Sequence, residues 1–468
     1  MSSFSGLRLA ESALSAARAG MTVTGQNIAN QTTTGYTRQR VDQAPLSGVG
    51  QTGLWKSGLG IGGGVSVTGV ARLGDAVLDA RVRDALSTSG FWSARATAAA
   101  RAESTMAEPT ADGLAANLDR FWAGWSDLAN TPEPAAAQVV LTNAQVLVGQ
   151  IAAGYQAVAG QWGDLRGQVD RDIADVNAVA GQVATLNGQI RDALHAGRNA
   201  NELIDQRNVL AQQLSSAIGA TGVVESDGTL TLRVDGNALV SGDSSRSLQV
   251  SGPREISDAG RIVVSWADRP DVPVAVGGGV IGGTISALAP AADGGTLAGV
   301  AAAYNDTAAA LAAAVNDVHR TGVTAGGAAG GDFFALDTTG PAALGLSVVP
   351  TGLDQLALAA PGAGAKDTTI ADRISALGAS ATGPSKTWAT FVTGFAVAVA
   401  GDLQRADIAD MGAVAAVTAQ QSNASVDGDE ETINLLTYQT AYQAAARVLT
   451  AMDEALDLLI NRTGLVGR

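Results

Sequence analysis

A heptad repeat of apolar residues at each end of the chain restricts the fold more than any other feature. The first repeat places Leu7, Ala10, Leu14, Ala17, Met21 and Ile28 at alternating spacings of three and four, interrupted by Thr24. The second runs without a break through Leu435, Tyr438, Tyr442, Ala445, Leu449, Met452, Leu456 and Leu459. In a helix this spacing makes a narrow apolar seam, which needs a partner helix to bury it. One such seam often packs on its own domain, but two at opposite ends favour terminal helices that pair with each other or with neighbouring chains.

Helical patterning also fills the first half of the interior. A heptad runs from Leu141 to Val169, skips one residue, and continues from Ile173 to Leu194, and a returning helix is predicted over 201–218. Glycines between 149 and 167 each cost about 1 kcal/mol relative to Ala in a helix. The pattern therefore predicts a long, bent helical hairpin.

Beyond Gly219 the period changes from helix to strand. Leu230, Leu232 and Val234 alternate with polar residues, and Asp227-Gly228 and Asp235-Gly236 are turn dipeptides. The uncharged stretch at 272–292 is rich in Gly and Pro, so strand and turn are favoured there.

The predicted fold class is mainly α with inserted β, in an elongated multi-domain chain. Paired N- and C-terminal helices are expected at 1–40 and 427–468. A long-helix middle domain is expected at 41–218 and 287–426, with a small Gly-rich β part near 321–365. An outer antiparallel β domain is expected at 219–286.

Composition excludes several classes of partner. The 468 residues carry 29 basic and 44 acidic side chains, and the net charge of −15 repels nucleic-acid phosphates and anionic membrane surfaces. Cysteine is absent, which excludes disulfides and thiolate chemistry. The longest uncharged stretch, 134–163, contains six Gln or Asn residues, so it is amphipathic rather than membrane-spanning. We expect no nucleic-acid partner and no membrane insertion.

The residues offer little for catalysis or cofactor binding. His195 and His319 are far apart in the chain, and each is best explained as a surface or helix-end residue. The run at 58–64 (GLGIGGG) matches no phosphate-loop spacing and indicates a hairpin or connector. The acidic run at 427–431 (DGDEE) lacks the spacing of a calcium loop and fits helix capping. We therefore expect no enzyme activity, no metal and no cofactor.

Five motifs resemble those of one protein family. They are GQNIAN at 25–30 with GYTRQR at 35–40, FWAGWSDLANTP at 121–132, NELIDQRNVLAQQLS at 201–215, VNDVHRTGVTAGGAAGGDFF at 315–334, and NLLTYQTAYQAAARV at 434–448. The first is shared by flagellar rod and hook proteins. Together they resemble the family of the first hook-associated protein of bacterial flagella, the FlgK family.

This resemblance implies a structural subunit that joins hook to filament by helical packing of its termini. It implies export by the flagellar type III apparatus, a cytoplasmic stage before export, and an extracellular position at the hook–filament junction. The implied partners are further copies of the chain in a ring, the hook protein, a second junction protein (hook-associated protein 3), and a cytoplasmic export chaperone on the C-terminal helix.

The expected assembly interface combines both seams with the turn that follows the first helix. Its candidate residues are Leu7, Leu14, Met21, Asn27, Ile28, Asn30, Tyr36, Leu435, Tyr438, Tyr442, Leu449, Met452, Leu456 and Leu459. Asn27 and Asn30 either end and cap the helix or pair with neighbouring subunits. Tyr36 is expected to be a packing anchor.

Three other functions compete with the junction role. A distal rod or hook subunit would share the N-terminal motif. A secreted β-rich adhesin with a helical stalk would bind its ligand through 219–286. A cell-wall hydrolase hidden in the β insert would need paired carboxylates, which the sequence does not display in a recognisable arrangement.

Overall fold

The computed structural model describes residues 3–46, 62–258, 260–337, 339–364 and 366–462. The first elements are α1 (Ser3–Ala29), β1 (Gln39–Leu46), β2 (Gly64–Arg72), α2 (Ala76–Met106), α3 (Leu114–Asn130), α4 (Pro134–His195) and α5 (Asn201–Ile218). The strands that follow are β3 (Thr221–Val224), β4 (Leu230–Val234), β5 (Asn237–Ser241), β6 (Ser244–Ser245), β7 (Leu248–Ser251), β8 (Val263–Trp266) and β9 (Arg269–Val274).

The remaining elements return to helix around short strands. They are α6 (Gly279–Leu288), α7 (Thr296–His319), β10 (Val323–Thr324), β11 (Phe334–Leu336), α8 (Ala342–Gly345), β12 (Leu346–Val348), β13 (Ala357–Ala359), α9 (Thr369–Ala376), α10 (Pro384–Ala424) and α11 (Gly428–Asp457). The prediction of a mainly α fold with inserted β is confirmed.

The longest helix, α4, is one continuous element of 62 residues, about 93 Å at 1.5 Å per residue. Its glycines do not break it. Gly160 faces open space, and Gly154 allows Tyr304 of α7 to pack so closely that a Cβ would lie 2.3 Å from the ring. The buried side of α4 meets α3, α5 and α7, and α10 packs on α2, α3 and α7. Phe121, Trp125 and Trp388 lie inside this helical core.

The terminal helices α1 and α11 pack side by side along their length. A Cβ on Gly6 would lie 2.8 Å from Met452 Cε, and one on Gly20 would lie 2.4 Å from the ring of Tyr438. The early residue of α1 therefore meets the late residue of α11, so the pair is antiparallel. The hairpin β1–β2 packs on α1. The domain boundary predicted from the sequence had instead placed the residues after 40 in the long-helix domain.

Two antiparallel meanders, β3–β4–β5–β6 and β7–β8–β9, form the β region. Asp235 and Gly236 both have positive φ, 51° and 73°, and Val234 pairs with Asn237. This is the two-residue hairpin turn expected for Asp-Gly. Both sheets lie along the C-terminal half of α4, with Asn187 Nδ2 donating to Leu230 O at 2.9 Å.

The preference for strand and turn over 272–292 was wrong for its second half, because α6 occupies Gly279–Leu288. The Gly-rich sequence permits a close helix crossing. A Cβ on Gly283 would lie 2.1 Å from Phe91 O of α2. Tertiary packing against α2 therefore overrides the low helix propensity of this segment.

Candidate assembly interface

The predicted seams face each other but are only partly covered. Ala10, Ala17 and Ala445 are buried. The larger seam residues are half-buried: Leu7, Leu14, Met21, Ile28, Leu435, Tyr438, Leu449, Met452 and Leu456. Tyr442 is 40% exposed, and the side chain of Leu459 lies outside the described residues. One helix pair thus covers only part of this apolar surface.

The opposite face of α11 also carries exposed apolar residues. Ile433, Leu436 and Val448 are between 44% and 63% exposed, and Leu458, directly after the helix, is 55% exposed. Between Thr432 and Met452 the only charged residue is Arg447. Thr437, Thr440 and Arg447 share this face, so the surface is mixed rather than purely apolar. Large apolar side chains grouped and exposed in this way mark a contact surface. The heptad pattern identified one face of α11 and missed this second one.

A buried amide lies where α1 ends. Asn27 is 1% exposed. Its Nδ2 donates to Gln39 O at 2.9 Å, and its Oδ1 accepts from Gln39 N at 3.0 Å and from the Tyr36 hydroxyl at 2.9 Å. Asn27 therefore neither caps the helix nor faces outward within one chain: it holds the start of β1 against α1. Asn30 is half-buried, and its Nδ2 donates to Gln26 O at 3.0 Å.

The two ends of the chain are joined through a pair of glutamates. Glu431 is 2% exposed and accepts from Arg38 Nε at 2.7 Å and from Asn27 Nδ2 at 3.1 Å. Glu430 accepts two bonds from the guanidinium of Arg38, at 2.7 and 3.0 Å. Hydrogen bonding to Glu430 raises the pKa of Arg38 above its ordinary value. We name Asn27, Tyr36, Arg38, Gln39 and Glu431 the terminal cluster.

The terminal cluster is tied to the long-helix domain by a second set of charges. Asp205 of α5 accepts from Thr37 N at 3.0 Å and from Arg72 Nε at 2.6 Å. Glu202 accepts from Gln26 at 2.7 Å and from Gln39 at 3.2 Å. Four of these residues, Glu202, Asp205, Thr37 and Gln39, lie in the family-like motifs NELIDQR and GYTRQR. The motifs were the available signal, but the sequence did not show which residues pair.

Tyr36 was predicted to be a packing anchor, and in the structure its hydroxyl donates to Asn27. Its ring is half-buried. Burial raises the pKa of its hydroxyl to about 12, and the nearby carboxylates Glu202, Asp205 and Glu431 act in the same direction. The phenol therefore stays protonated and keeps donating to Asn27.

The other sequence candidates have structural roles. Asp427 caps α11, with Oδ1 accepting from Asp429 N at 2.9 Å and Glu430 N at 3.2 Å, as predicted. His195 is exposed at the end of α4. His319 is 1% exposed, contrary to a surface position, although it does end α7.

Two further observations concern metals and membranes. Within the described ranges, no group of three or more His, Asp or Glu side chains could hold a metal ion. Of the GLGIGGG run, residues 58–61 lie outside the described part. By length and composition alone, α4 is long and apolar enough to cross a membrane. In the structure one side of α4 is part of the protein core, and core helices of soluble proteins can have the same length and composition.

Comparison with known families matches all three parts of this architecture. Residues 7–37 match the model "Flagella basal body rod protein", and 420–462 match "Flagellar basal body rod FlgEFG protein C-terminal". Residues 99–334, half of the chain, match "Flagellar hook-associated protein FlgK helical domain".

Individual relatives agree. Flagellar hook-associated protein 1 of Bacillus subtilis is 29% identical over the full length of both chains. The protein of the same name from Salmonella typhimurium is 30% identical over 70% of this chain and 58% of its own length. The solved structure of the flagellar hook junction protein FlgK from Burkholderia pseudomallei has a TM-score of 0.63 at 16% identity. It covers 73% of this chain and 99% of that structure, which shows a shared fold.

The paired termini and the rod-type matches at both ends define a subunit of the flagellar axial structures. The match of the helical domain is more specific, and the chain belongs to the FlgK family of flagellar hook-associated proteins. It is a structural component of the bacterial flagellum, with an adaptor role between hook and filament.

Proposed function

We propose that the α1–α11 pair performs the adaptor role by packing against the terminal helices of neighbouring subunits, without catalysis. The apolar outer face of α11 carries this proposal. Completing the burial of Ile433, Leu436, Val448 and Leu458 would contribute roughly 1–2 kcal/mol each. A contact of this kind binds subunits through buried area and needs no cofactor.

The proposed partners are further copies of the chain in a ring, the hook protein below it, and hook-associated protein 3 above it. Before export, a cytoplasmic chaperone would cover α11, because an exposed apolar face of this length invites aggregation. After export, the protein would be extracellular at the hook–filament junction. The seam residues from Leu7 to Leu459 named above are the proposed interface, together with the outer face of α11.

The terminal cluster supports this proposal by fixing how the pair is held. Arg38, Glu431 and Asn27 join the two ends, while Asp205 and Arg72 join that unit to the long-helix domain. A pair held in one orientation loses less conformational freedom on assembly than two separate helices.

Leu436→Asp tests the proposal in cells that carry it in place of the wild-type gene. The substitution puts a charge at a position 58% exposed in one chain, so the monomer should keep its helical content. In the assembly it would bury that charge, so we expect hooks without filaments and flagellin shed into the medium. Leu449→Asp, in the half-buried seam, should give the same phenotype.

Thr105→Asp is the matched control, because Thr105 is exposed near the C-terminal end of α2, whereas the N-terminal end of that helix, at Asp79, contacts Arg72 beside the terminal cluster. It should leave filaments normal. Normal filaments with Leu436→Asp would refute the packing proposal. In a gene deletion, loss of the hooks would indicate a rod or hook subunit, and unchanged filaments would indicate the adhesin.

A further inference from the structure

The N-terminal half of α4 carries a second heptad seam, and this one is exposed. It consists of Ala135, Val139, Thr142, Val146, Gly149, Ala153, Gln156 and Gly160, at alternating spacings of four and three. All eight are exposed, with Val139 at 50% and Val146 at 49%. A Cβ on Gly149 or Gly160 would meet nothing within 4 Å. We name this surface the α4 seam.

The α4 seam has no charge over the 26 residues 135–160, about 39 Å of helix. Most of its residues are small, and the space beside Gly149 and Gly160 is open, so bulky side chains of another helix can approach the α4 backbone closely there. The buried side of α4 is fully occupied by the core, with Val140, Leu147 and Val158 at 0% exposure. The α4 seam is therefore a separate surface, unpartnered in a single chain.

An exposed face of large apolar residues lies on α10. Val397, Ile408, Met411 and Val414 project from it with exposures of 69%, 58%, 63% and 58%. At 100° per residue these four fall within about 120° of the helix circumference, with Ala400, Gln404, Ala415 and Thr418 between them. Asp407 is the one charged residue in this sector. We name it the α10 face.

The two surfaces cannot meet within one copy. Both helices pack against α3 and α7 with their buried sides, and the α4 seam and the α10 face point away from that shared core. A contact between two different patches of one chain joins copies head to tail, which produces rings or helical arrays.

Charge selects a second copy as the occupant. At a net charge of −15, two copies can approach closely only where acidic residues are sparse. The two surfaces have one acid between them. A basic partner would require acidic residues on the surface it contacts, and these surfaces offer only Asp407.

From these observations we infer that the α10 face of one copy docks on the α4 seam of the next. This inference rests on the proposed function and adds a second contact between subunits, outside the terminal helices. The α10 face continues into α11 across only Ser425–Asp427, so it extends the proposed terminal interface along the subunit.

The area of this contact sets its strength. A helix face about 33 Å long and 10 Å wide covers roughly 330 Å² per copy, well below the roughly 800 Å² per partner of a stable interface. The contact is therefore weak by itself and becomes populated when the terminal helices of the same two copies also engage. The purified chain is expected to remain monomeric at low concentration.

Disulfide trapping of the purified full chain tests the inference, since the protein has no cysteine of its own. Met411→Cys is combined in turn with Val139→Cys, Val146→Cys and Ala153→Cys, which sample the α4 seam every two turns. On oxidation of concentrated protein, at least one pair should give a ladder of covalent dimers, trimers and larger species. The yield should exceed that of the control by about tenfold, since disulfides form only between closely apposed Cβ atoms.

The matched control pairs Met411→Cys with Thr185→Cys, which is exposed on the same helix but outside the α4 seam. No ladder above this control in any of the three pairs would overturn the inference. Dimers from Met411→Cys alone, as abundant as those from the pairs, would also overturn it, because α10 would then contact α10. Flotation of the purified chain with phosphatidylcholine vesicles, abolished by Val146→Asp, would overturn it in favour of a membrane contact.

Failure of this inference is distinct from failure of the proposed function. Cross-linking of purified protein needs no flagellum, whereas Leu436→Asp is scored on filaments in cells. A ladder with normal filaments in the Leu436→Asp strain would retain the second contact and reject terminal packing. If no ladder forms and the Leu436→Asp strain has no filaments, terminal packing would be retained and the second contact rejected.

Discussion

Arg38 Nε lies 2.7 Å from Glu431 Oε1, and this bond joins residues 393 positions apart in the chain. Glu431 is 2% exposed, so its charge has little solvent around it. A buried carboxylate of this kind requires hydrogen-bond partners. Glu431 has these partners only when α1 and α11 are correctly paired. The need to hydrogen-bond its buried charge therefore stabilises that pairing.

Arg38→Ala should open the terminal pair. Removing one partner of a buried ion pair costs about 3–5 kcal/mol, and the remaining bond from Asn27 puts the expected loss near the lower end. This loss of stability should be measurable as faster hydrogen exchange of the backbone amides in 429–440. Arg40→Ala is the control: Arg40 and Asp42 are both exposed and 3.6 Å apart, so the loss should stay below about 1 kcal/mol. Equal exchange in the two variants would contradict the role of Arg38.

Asn27→Asp should destabilise the same region more than Asn30→Asp. The first change removes the donor to Gln39 O and sets a carboxylate beside Glu431, at a cost of roughly 2 kcal/mol or more. Asn30 loses one bond to Gln26 in a half-buried site. The rate of trypsin cleavage after Arg40 in the folded chain reports the difference. Similar rates for both variants would mean that Asn27 does not hold β1.

Gly283→Ala should lower the thermal midpoint, because its Cβ would lie 2.1 Å from the backbone oxygen of Phe91 and must push α6 from α2. Overpacking of this kind costs about 1–3 kcal/mol. Gly299→Ala is the opposite case, since Gly299 lies in α7 with nothing within 4 Å. It should raise stability by up to about 1 kcal/mol. Thermal unfolding followed by circular dichroism compares them, and a midpoint for Gly283→Ala at or above wild type would refute the close crossing.

Stability should fall in mild acid through His319. Its Nδ1 lies 2.8 Å from Gly331 O, and its Nε2 accepts from Ala357 N at 3.0 Å, so the ring is neutral with its proton on Nδ1. Burial lowers the pKa of His319 below its ordinary value. The unfolded chain therefore binds this proton at a higher pH than the folded chain, and the stabilising contribution is complete above about pH 6.5 and lost as the pH falls below it.

His319→Gln checks this pH dependence. Between pH 7.5 and 5, the thermal midpoint of the wild type should fall further than that of the variant. His195→Gln, at the exposed end of α4, should keep the wild-type profile. Parallel curves for the wild type and His319→Gln would show that the buried ring does not titrate in this range.

Sequence patterns were sufficient where local chemistry decides structure. Asp427 was predicted as a helix cap and Asp235-Gly236 as a hairpin turn, and both are found because capping and turn geometry depend on neighbouring residues. The terminal seams could be predicted for the same reason, because a heptad repeat is a property of the sequence of a single helix.

Asparagines that fasten strands to helices were missed. Asn177, Asn187 and Asn316 each donate to the C=O and accept from the N–H of one strand residue, as Asn27 does with Gln39. The signal for Asn187 was available, because it occupies the one skipped position between Val183 and Ile190 in the predicted seam. A polar residue at a predicted core position indicates that its side chain makes a buried hydrogen bond, but the sequence does not show which residue is the partner.

The sequence by itself determined that both ends are helical, that their seams need partners, and which family the motifs resemble. Only the tertiary structure showed that Glu431 is buried against Arg38, that α6 is a helix, and that α4 and α10 each leave an apolar face uncovered. The reason is physical. Periodicity reports which faces of a helix are apolar, whereas the face that packs inside the chain is decided by contacts between residues hundreds of positions apart.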